Sequence, residues 1–124
     1  MKIFVYGTLK SDCKNNNIMK KVEGDFLFPC STTKPFPMFD LGDGFPYLQN
    51  KSGYGNIIEG ELWKVPNSAS KVLNEFEGVP TLYKNGRIEV EFENRVINAY
   101  CYFIANELNE EELKDVELLS EWLE

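Results

Sequence analysis

Met1-Lys-Ile-Phe-Val-Tyr-Gly-Thr-Leu-Lys10 opens the chain, and its reading decides the fold. Ile3, Phe4 and Val5 form a short run of β-branched and aromatic residues, the pattern of a strand that is buried at once. Tyr6-Gly7-Thr8 then breaks the run at the one residue type that tolerates left-handed backbone angles, so the chain can turn with neighbouring N–H groups pointing outward together. Such a turn can hold an anion or a polarised carbonyl. Taken alone, Tyr6 to Leu9 is a weak signal and reads first as a plain turn, since any strand can end in Gly-Thr.

Outward from this strand, the chain offers several more. Gly24 to Thr33 carries aromatic and β-branched residues, with Pro29 marking an edge or a bulge. Residues 34 to 55 hold Pro35, Pro37 and Pro46 among Gly42, Gly44, Gly53 and Gly55, a density that excludes regular helix. Lys34-Pro-Phe-Pro-Met38 and Gly44-Phe-Pro-Tyr-Leu48 place aromatics beside rigid prolines, as a pocket wall or as ordinary loop packing. Asn56 to Val65 reads as a strand with a bulge or a close backbone approach at Gly60. Ile88, Val90 and Phe92 alternate with charged residues, and Glu93-Asn94 forms a tight turn into a strand from Arg95 to Ile104.

Three segments read as helix. A short one is expected near Asn17, after the run Asn15-Asn16-Asn17, where a solvated connection is the alternative. Asn67 can cap a second, whose apolar residues Ala69, Val72, Leu73 and Phe76 recur at helical spacing. Asn109 and Glu112 form a capping box ahead of Leu113, Val116, Leu119 and Leu123, which predicts a C-terminal helix over the sheet. Short strands, long-range pairing and amphipathic helices together give one α+β domain, residues 1–124, with a strongly twisted, largely antiparallel sheet.

Composition bounds the function. A net charge of −7 disfavours nucleic acid and anionic membrane, which require clustered Lys and Arg. No apolar run approaches the roughly 18 residues of a membrane span, and the N-terminus carries no signal-peptide pattern. Cys13, Cys30 and Cys101 are odd in number and show no Cys-x-x-Cys spacing, which fits a reducing, cytoplasmic setting, with Cys30 and Cys101 in the core. Histidine is absent, which removes Ser-His-Asp triads, Cys-His dyads and imidazole-ligated metals. Acid–base chemistry near neutrality then falls to a carboxylate, lysine, tyrosine or thiol with an adjusted pKa.

The carboxylate that stands out is Glu77. Gly78 and Pro80 stop the second helix just after it, among C-terminal carbonyls that disfavour negative charge. At about 100° per residue, Glu77 lies roughly 80° from Ala69 and Glu75 roughly 120° away on the other side, so Glu77 is nearer the buried edge. On these residues alone, Glu77 is either an exposed helix-end residue or a group whose pKa partial burial raises for a purpose.

The Tyr6-Gly-Thr-Leu9 turn together with Leu73-Asn-Glu-Phe-Glu77-Gly-Val-Pro-Thr-Leu-Tyr83 resembles the γ-glutamyl cyclotransferase superfamily (AIG2-like). Within it, the chain is similar to the γ-glutamylamine cyclotransferases, which carry Leu-Asp-Asp-Phe-Glu and Pro-x-Leu-Tyr segments. The resemblance covers most of the chain and implies a small, twisted β-barrel with short flanking helices outside it. It implies a γ-glutamyl small molecule as substrate, no cofactor and no metal. The α-amine of the γ-glutamyl group attacks its own side-chain amide, giving 5-oxoproline and a free amine, with lysine from γ-glutamyl-ε-lysine as the preferred case. Glu77 is then the catalytic base, Tyr6, Gly7, Thr8 and Leu9 hold the glutamyl portion, and Tyr83 orients the ring or carboxylate, unless its phenol is a core hydrogen bond.

Departures from the family pattern bear on this reading. Asn74-Glu75 replaces the acidic doublet, so Glu75 becomes a rival carboxylate. Asn85 stands where an arginine often follows the tyrosine, and Arg87 comes later. Glu61, in a Gly-Glu-Leu context, is a minor site candidate. Alternatives are a different γ-glutamyl leaving group, a non-catalytic module that binds γ-glutamyl metabolites, and, more distantly, a thiol enzyme using Cys13. Neither the leaving amine nor the oligomeric state is legible in the sequence.

Overall fold

The opening run forms β1 (Lys2–Val5) in the computed structural model, which describes all residues 1–124. It lies antiparallel to β5 (Glu59–Lys64), with Phe4 opposite Leu62 and Val5 opposite Glu61. From β5 the sheet continues antiparallel through β2 (Asp25–Thr32), β6 (Tyr83–Phe92) and β7 (Arg95–Ile104). A parallel bridge from Ile3 to Tyr100 joins β7 to β1 and closes the barrel. The β6–β7 hairpin turns at Glu93 and Asn94, with φ of 50° and 66°, as a two-residue turn between twisted strands requires. β3 (Met38–Asp40) and β4 (Pro46–Leu48) form a separate small hairpin.

Strand alternation divides the core. Phe4, Leu62, Val90, Cys101 and Phe103 pack in one cluster, and Ile3, Val5, Trp63, Tyr102 and Ile104 in another. The second cluster contains helix residues: Met19 from α1 (Asn17–Lys21), Ala69 and Leu73 from α2 (Ala69–Glu77), and Leu113 from α3 (Glu110–Lys114). It therefore lies between the outer face of the barrel and the helices, while the first fills the barrel. Gly60 sits where strand and core meet: a Cβ there would lie 2.5 Å from the Val5 carbonyl oxygen and 2.7 Å from the Phe4 ring.

Several expectations need correction. Helix α2 starts after Ser68, not from an Asn67 cap, and Ser68 makes no side-chain cap bond. Only Ala69 and Leu73 of its apolar stripe are buried, whereas Val72 and Phe76 are each 37% exposed. The Asn109–Glu112 capping box is present, but α3 ends at Lys114. Beyond it the chain is not helical, because the Leu119 N–H bonds the Met38 carbonyl and the Ser120 carbonyl accepts from Glu59 N–H. Leu123 is left exposed. Pro29 does lie on a locally open side, as expected: it pairs with Glu61 of β5, whereas β6 meets β2 only at Ser31 and Thr32. The expected irregularity is a register shift between Phe26 and Phe28.

Candidate active site

The α2 helix ends in two interlocked bonds, Val79 N–H to the Asn74 carbonyl and Gly78 N–H to the Glu75 carbonyl. These are the paired bonds of a Schellman stop, and Gly78, at φ 71°, occupies the left-handed position that glycine fills without strain. Glu77 is thereby fixed as the last helical residue. Its carboxylate is half-buried at the wall of a cavity of about 270 Å³.

Tyr6, Gly7, Thr8, Leu9, Glu77 and Tyr83, the residues singled out from the sequence, all line this one cavity. Phe4, Val5, Asn15, Phe45, Pro46, Phe76, Leu82 and Tyr102 complete it. Glu77 is the only charged side chain in the lining, and it takes part in no ion pair. Burial alone pushes its carboxyl up to about 7.

Across from it, the N–H groups of Gly7, Thr8 and Leu9 donate to no acceptor in the protein. They are free to meet a ligand's anionic or carbonyl oxygen. Two of the clustered asparagines fasten this turn: Asn15 Nδ2 donates to Thr8 Oγ1 at 3.0 Å, and Asn16 Nδ2 to the Leu9 carbonyl at 2.9 Å. The need for glycine at position 7 differs from the one expected. Gly7 is not among the glycines at positive φ, but a Cβ there would lie 2.9 Å from Pro46 Cγ. Closeness to the β4 edge, not backbone angle, is what position 7 demands.

Three phenols surround the carboxylate. Tyr6 donates its hydroxyl to the Tyr102 carbonyl. Tyr83 donates to the Pro46 carbonyl at 2.7 Å, so its phenol makes a buried structural bond while its ring lines the cavity. Tyr102 donates to Asn74 Oδ1 at 2.7 Å. Burial, and after it the nearby Glu77, pushes the Tyr83 and Tyr102 phenols up, so both are neutral donors. Tyr47 stacks on Tyr83 at 5.4 Å, and Phe45 packs edge-on to Tyr47 at 5.3 Å, giving the cavity an aromatic side. Of the two proline-flanked segments, Gly44 to Leu48 thus supplies pocket wall, and Lys34 to Met38 does not.

The remaining candidates lie elsewhere. Glu75 is exposed. Glu61 Oε1 accepts from Ser11 N–H at 2.8 Å and from Trp63 Nε1 at 3.0 Å, so it braces the segment after the turn without lining the cavity. Arg87 sits over the Tyr100 ring at 4.5 Å, an exposed cation–π contact outside the cavity. Cys13 is half-buried and also outside it, with burial raising its thiol pKa. No helix is long and apolar enough to cross a membrane.

A family model described as gamma-glutamyl cyclotransferase, AIG2-like, matches residues 3–124. The gamma-glutamylaminecyclotransferase A of Danio rerio is 33% identical over 93 residues, 72% of this chain and 58% of its own length. The human gamma-glutamylaminecyclotransferase is 31% identical over 93 residues, 72% of this chain and 61% of its own. The chain thus spans about three-fifths of the length of these curated relatives. An AIG2-like protein from Mus musculus has the same fold, with a TM-score of 0.87 at 24% identity, over 97% of this chain and 86% of that one. With the family model matched over nearly the whole chain and relatives of this name above 30% identity, the chain belongs to the gamma-glutamyl cyclotransferase, AIG2-like family.

Proposed function

We propose that the chain cleaves γ-glutamylamines by cyclisation, releasing 5-oxoproline and an amine. The observation that carries this reading is the pairing, in one cavity, of an unpaired carboxyl raised to about 7 with three N–H groups that have no protein acceptor. No lysine or arginine lines the cavity, so the substrate's α-carboxylate is received by the Gly7–Leu9 amides. Glu77 takes a proton from the substrate α-ammonium group. The freed amine attacks the γ-carbonyl carbon, the bond from that carbon to the leaving nitrogen breaks, and Glu77 returns the proton to that nitrogen. Glu77 then receives the proton that the new ring nitrogen sheds and releases it, to the departing amine or to water.

Two effects drive the step. The nucleophile is tethered to its electrophile, so a cavity that holds the glutamyl chain curled recovers part of an effective molarity of roughly 10⁵ to 10⁸ M. A base whose pKa is near the working pH adds about 10² to 10⁴ in rate. The apolar lining by Phe45, Phe76 and Leu82 suits an alkyl stem next to the leaving nitrogen, as in γ-glutamyl-ε-lysine.

Mass-spectrometric assay of 5-oxoproline from a panel of γ-glutamyl compounds tests the proposal, with γ-glutamyl-ε-lysine expected among the best substrates. Absence of product from every compound would overturn it. Gly7→Ala is expected to weaken 5-oxoproline binding by about tenfold, because the added methyl meets the Pro46 ring and moves the amides. Calorimetry showing unchanged affinity in a folded variant would remove this turn from the site. Cys13→Ser is expected to leave kcat within about twofold of wild type, since the step forms no covalent intermediate. Loss of turnover with the fold intact would return the chemistry to the thiol.

A further inference from the structure

Asn74 and Glu77 lie one helical turn apart and so share a face of α2. Glu77 lines the cavity described above. Asn74 lines a second one, of about 490 Å³, with Asn67, Ser70, Asn85 and Tyr100. Tyr102 borders both. Tyr102 is buried in the core cluster with Ile3, Val5 and Trp63, and atoms of a buried residue that face a cavity lose packing contacts on that side. Two hydrogen bonds add to that packing: its hydroxyl donates to Asn74 Oδ1 at 2.7 Å, and its main-chain carbonyl accepts from Tyr6.

We propose that Asn74 is a positioning residue for the glutamyl cavity: its amide oxygen anchors the Tyr102 phenol, and the anchored ring screens the Glu77 carboxylate from the second cavity and its water. The inference rests on the reading of Glu77 as the group that moves the proton. Its chemistry also depends on residue 74 being an amide. The motif this chain resembles has Asp there, whereas Asn accepts the phenol without adding a charge one turn from Glu77. The other titratable groups within reach of Glu77 are Tyr6 beyond β1, Tyr83 on β6, and Cys101 and Tyr102 on β7. Burial pushes all four up, so they are uncharged near neutrality. Lys71 and Glu75, on α2 itself, are exposed. The dryness of the wall is therefore what holds the proton on Glu77, and Asn74 maintains the wall.

The test is the titration of the Glu77 side-chain carboxyl, followed by ¹³C NMR in the full chain, beside kcat for 5-oxoproline release. Asn74→Ala keeps the main-chain carbonyl that closes the helix but removes the anchor. It should lower the Glu77 titration midpoint by about one pH unit and kcat by about tenfold. Tyr102→Phe should do the same, and the double variant should do no more than either alone. Asn74→Asp keeps the acceptor but adds a like charge, so the midpoint should move the other way, up by about one unit. A midpoint indifferent to Asn74→Ala and Tyr102→Phe, or additive losses in the double variant, would overturn the anchor. If the wild type makes no 5-oxoproline but Glu77 titrates as described, the anchor stands and the enzymatic reading falls. Turnover with a Glu77 titration blind to residue 74 means that the enzymatic reading stands and the anchor falls.

Discussion

Glu77→Gln is expected to lower kcat by about 10² to 10⁴ while KM changes by no more than a few-fold. Glutamine keeps the length and shape of the side chain but cannot accept the proton of the α-ammonium group. In the proposed reaction the Gly7–Leu9 amides hold the glutamyl portion, and the substitution does not touch them, so binding should persist while the proton transfer is lost. Glu75→Gln, two positions away, is expected to cost less than about twofold, as for a surface change that leaves the site untouched. Glu75 is exposed and lines no part of the cavity, so its carboxylate is solvated on the outside of the helix. Both rates are measured on one γ-glutamyl substrate at pH 8. A larger loss for Glu75→Gln would transfer the proton-transfer role to it, and two small losses would leave the cavity as a binding site.

The elements legible in the sequence were those whose pattern is local. Alternation at Ile88, Val90 and Phe92, with a turn at Glu93-Asn94, specified the β6–β7 hairpin because both signals act between neighbouring residues. The helical spacing of Leu113, Val116, Leu119 and Leu123 misled, because the backbone there bonds to Met38 and Glu59, far away in the chain, and tertiary pairing overrode local preference. Phe76 misled differently. Its apolar side chain fits a core stripe by period, but it lines the cavity beside Glu77 and is 37% exposed. Exposure of a large aromatic next to a stranded carboxylate was a signal for the site, visible only once the helix was placed.

The rest of the cavity was hidden because it is assembled from separate elements. Asn15 from the segment before α1, Pro46 from β4 and Tyr102 from β7 meet only through the closed barrel. The run of three asparagines carried a partial signal: residues poor in helix interiors and rich in side-chain amides are suited to holding a turn, and two of them hold Thr8 and Leu9. Position 7 is glycine for a reason other than the positive φ that the sequence suggests. The sequence suggests backbone freedom, whereas the structure requires room for the Pro46 ring.

Activity and stability should respond to pH in opposite directions, and through the same carboxyl. The native Glu77 titrates near 7, so kcat/KM should fall about tenfold per pH unit below that value as the base becomes protonated. In the unfolded chain the group titrates near the ordinary glutamate value of about 4.3. Between these two values the native state binds more protons than the unfolded state, so this group's contribution to stability declines as pH rises from about 4.3 to about 7 and is flat above. Glu77→Gln removes the titration. Above pH 7 the variant should therefore be more stable than wild type, by on the order of 1–3 kcal/mol for a half-buried group, and raise Tm by several degrees. At pH 4 the difference should vanish. Thermal melts of the two proteins from pH 4 to pH 9 decide it. Curves that run parallel across the range would mean that Glu77 titrates alike in the folded and unfolded chain, and the acid limb of the rate would then belong to another group. Convergence at low pH, in a variant that has lost its turnover, would identify one desolvated carboxyl as the source of both effects: burial that costs the fold stability near neutrality is what keeps a base poised there.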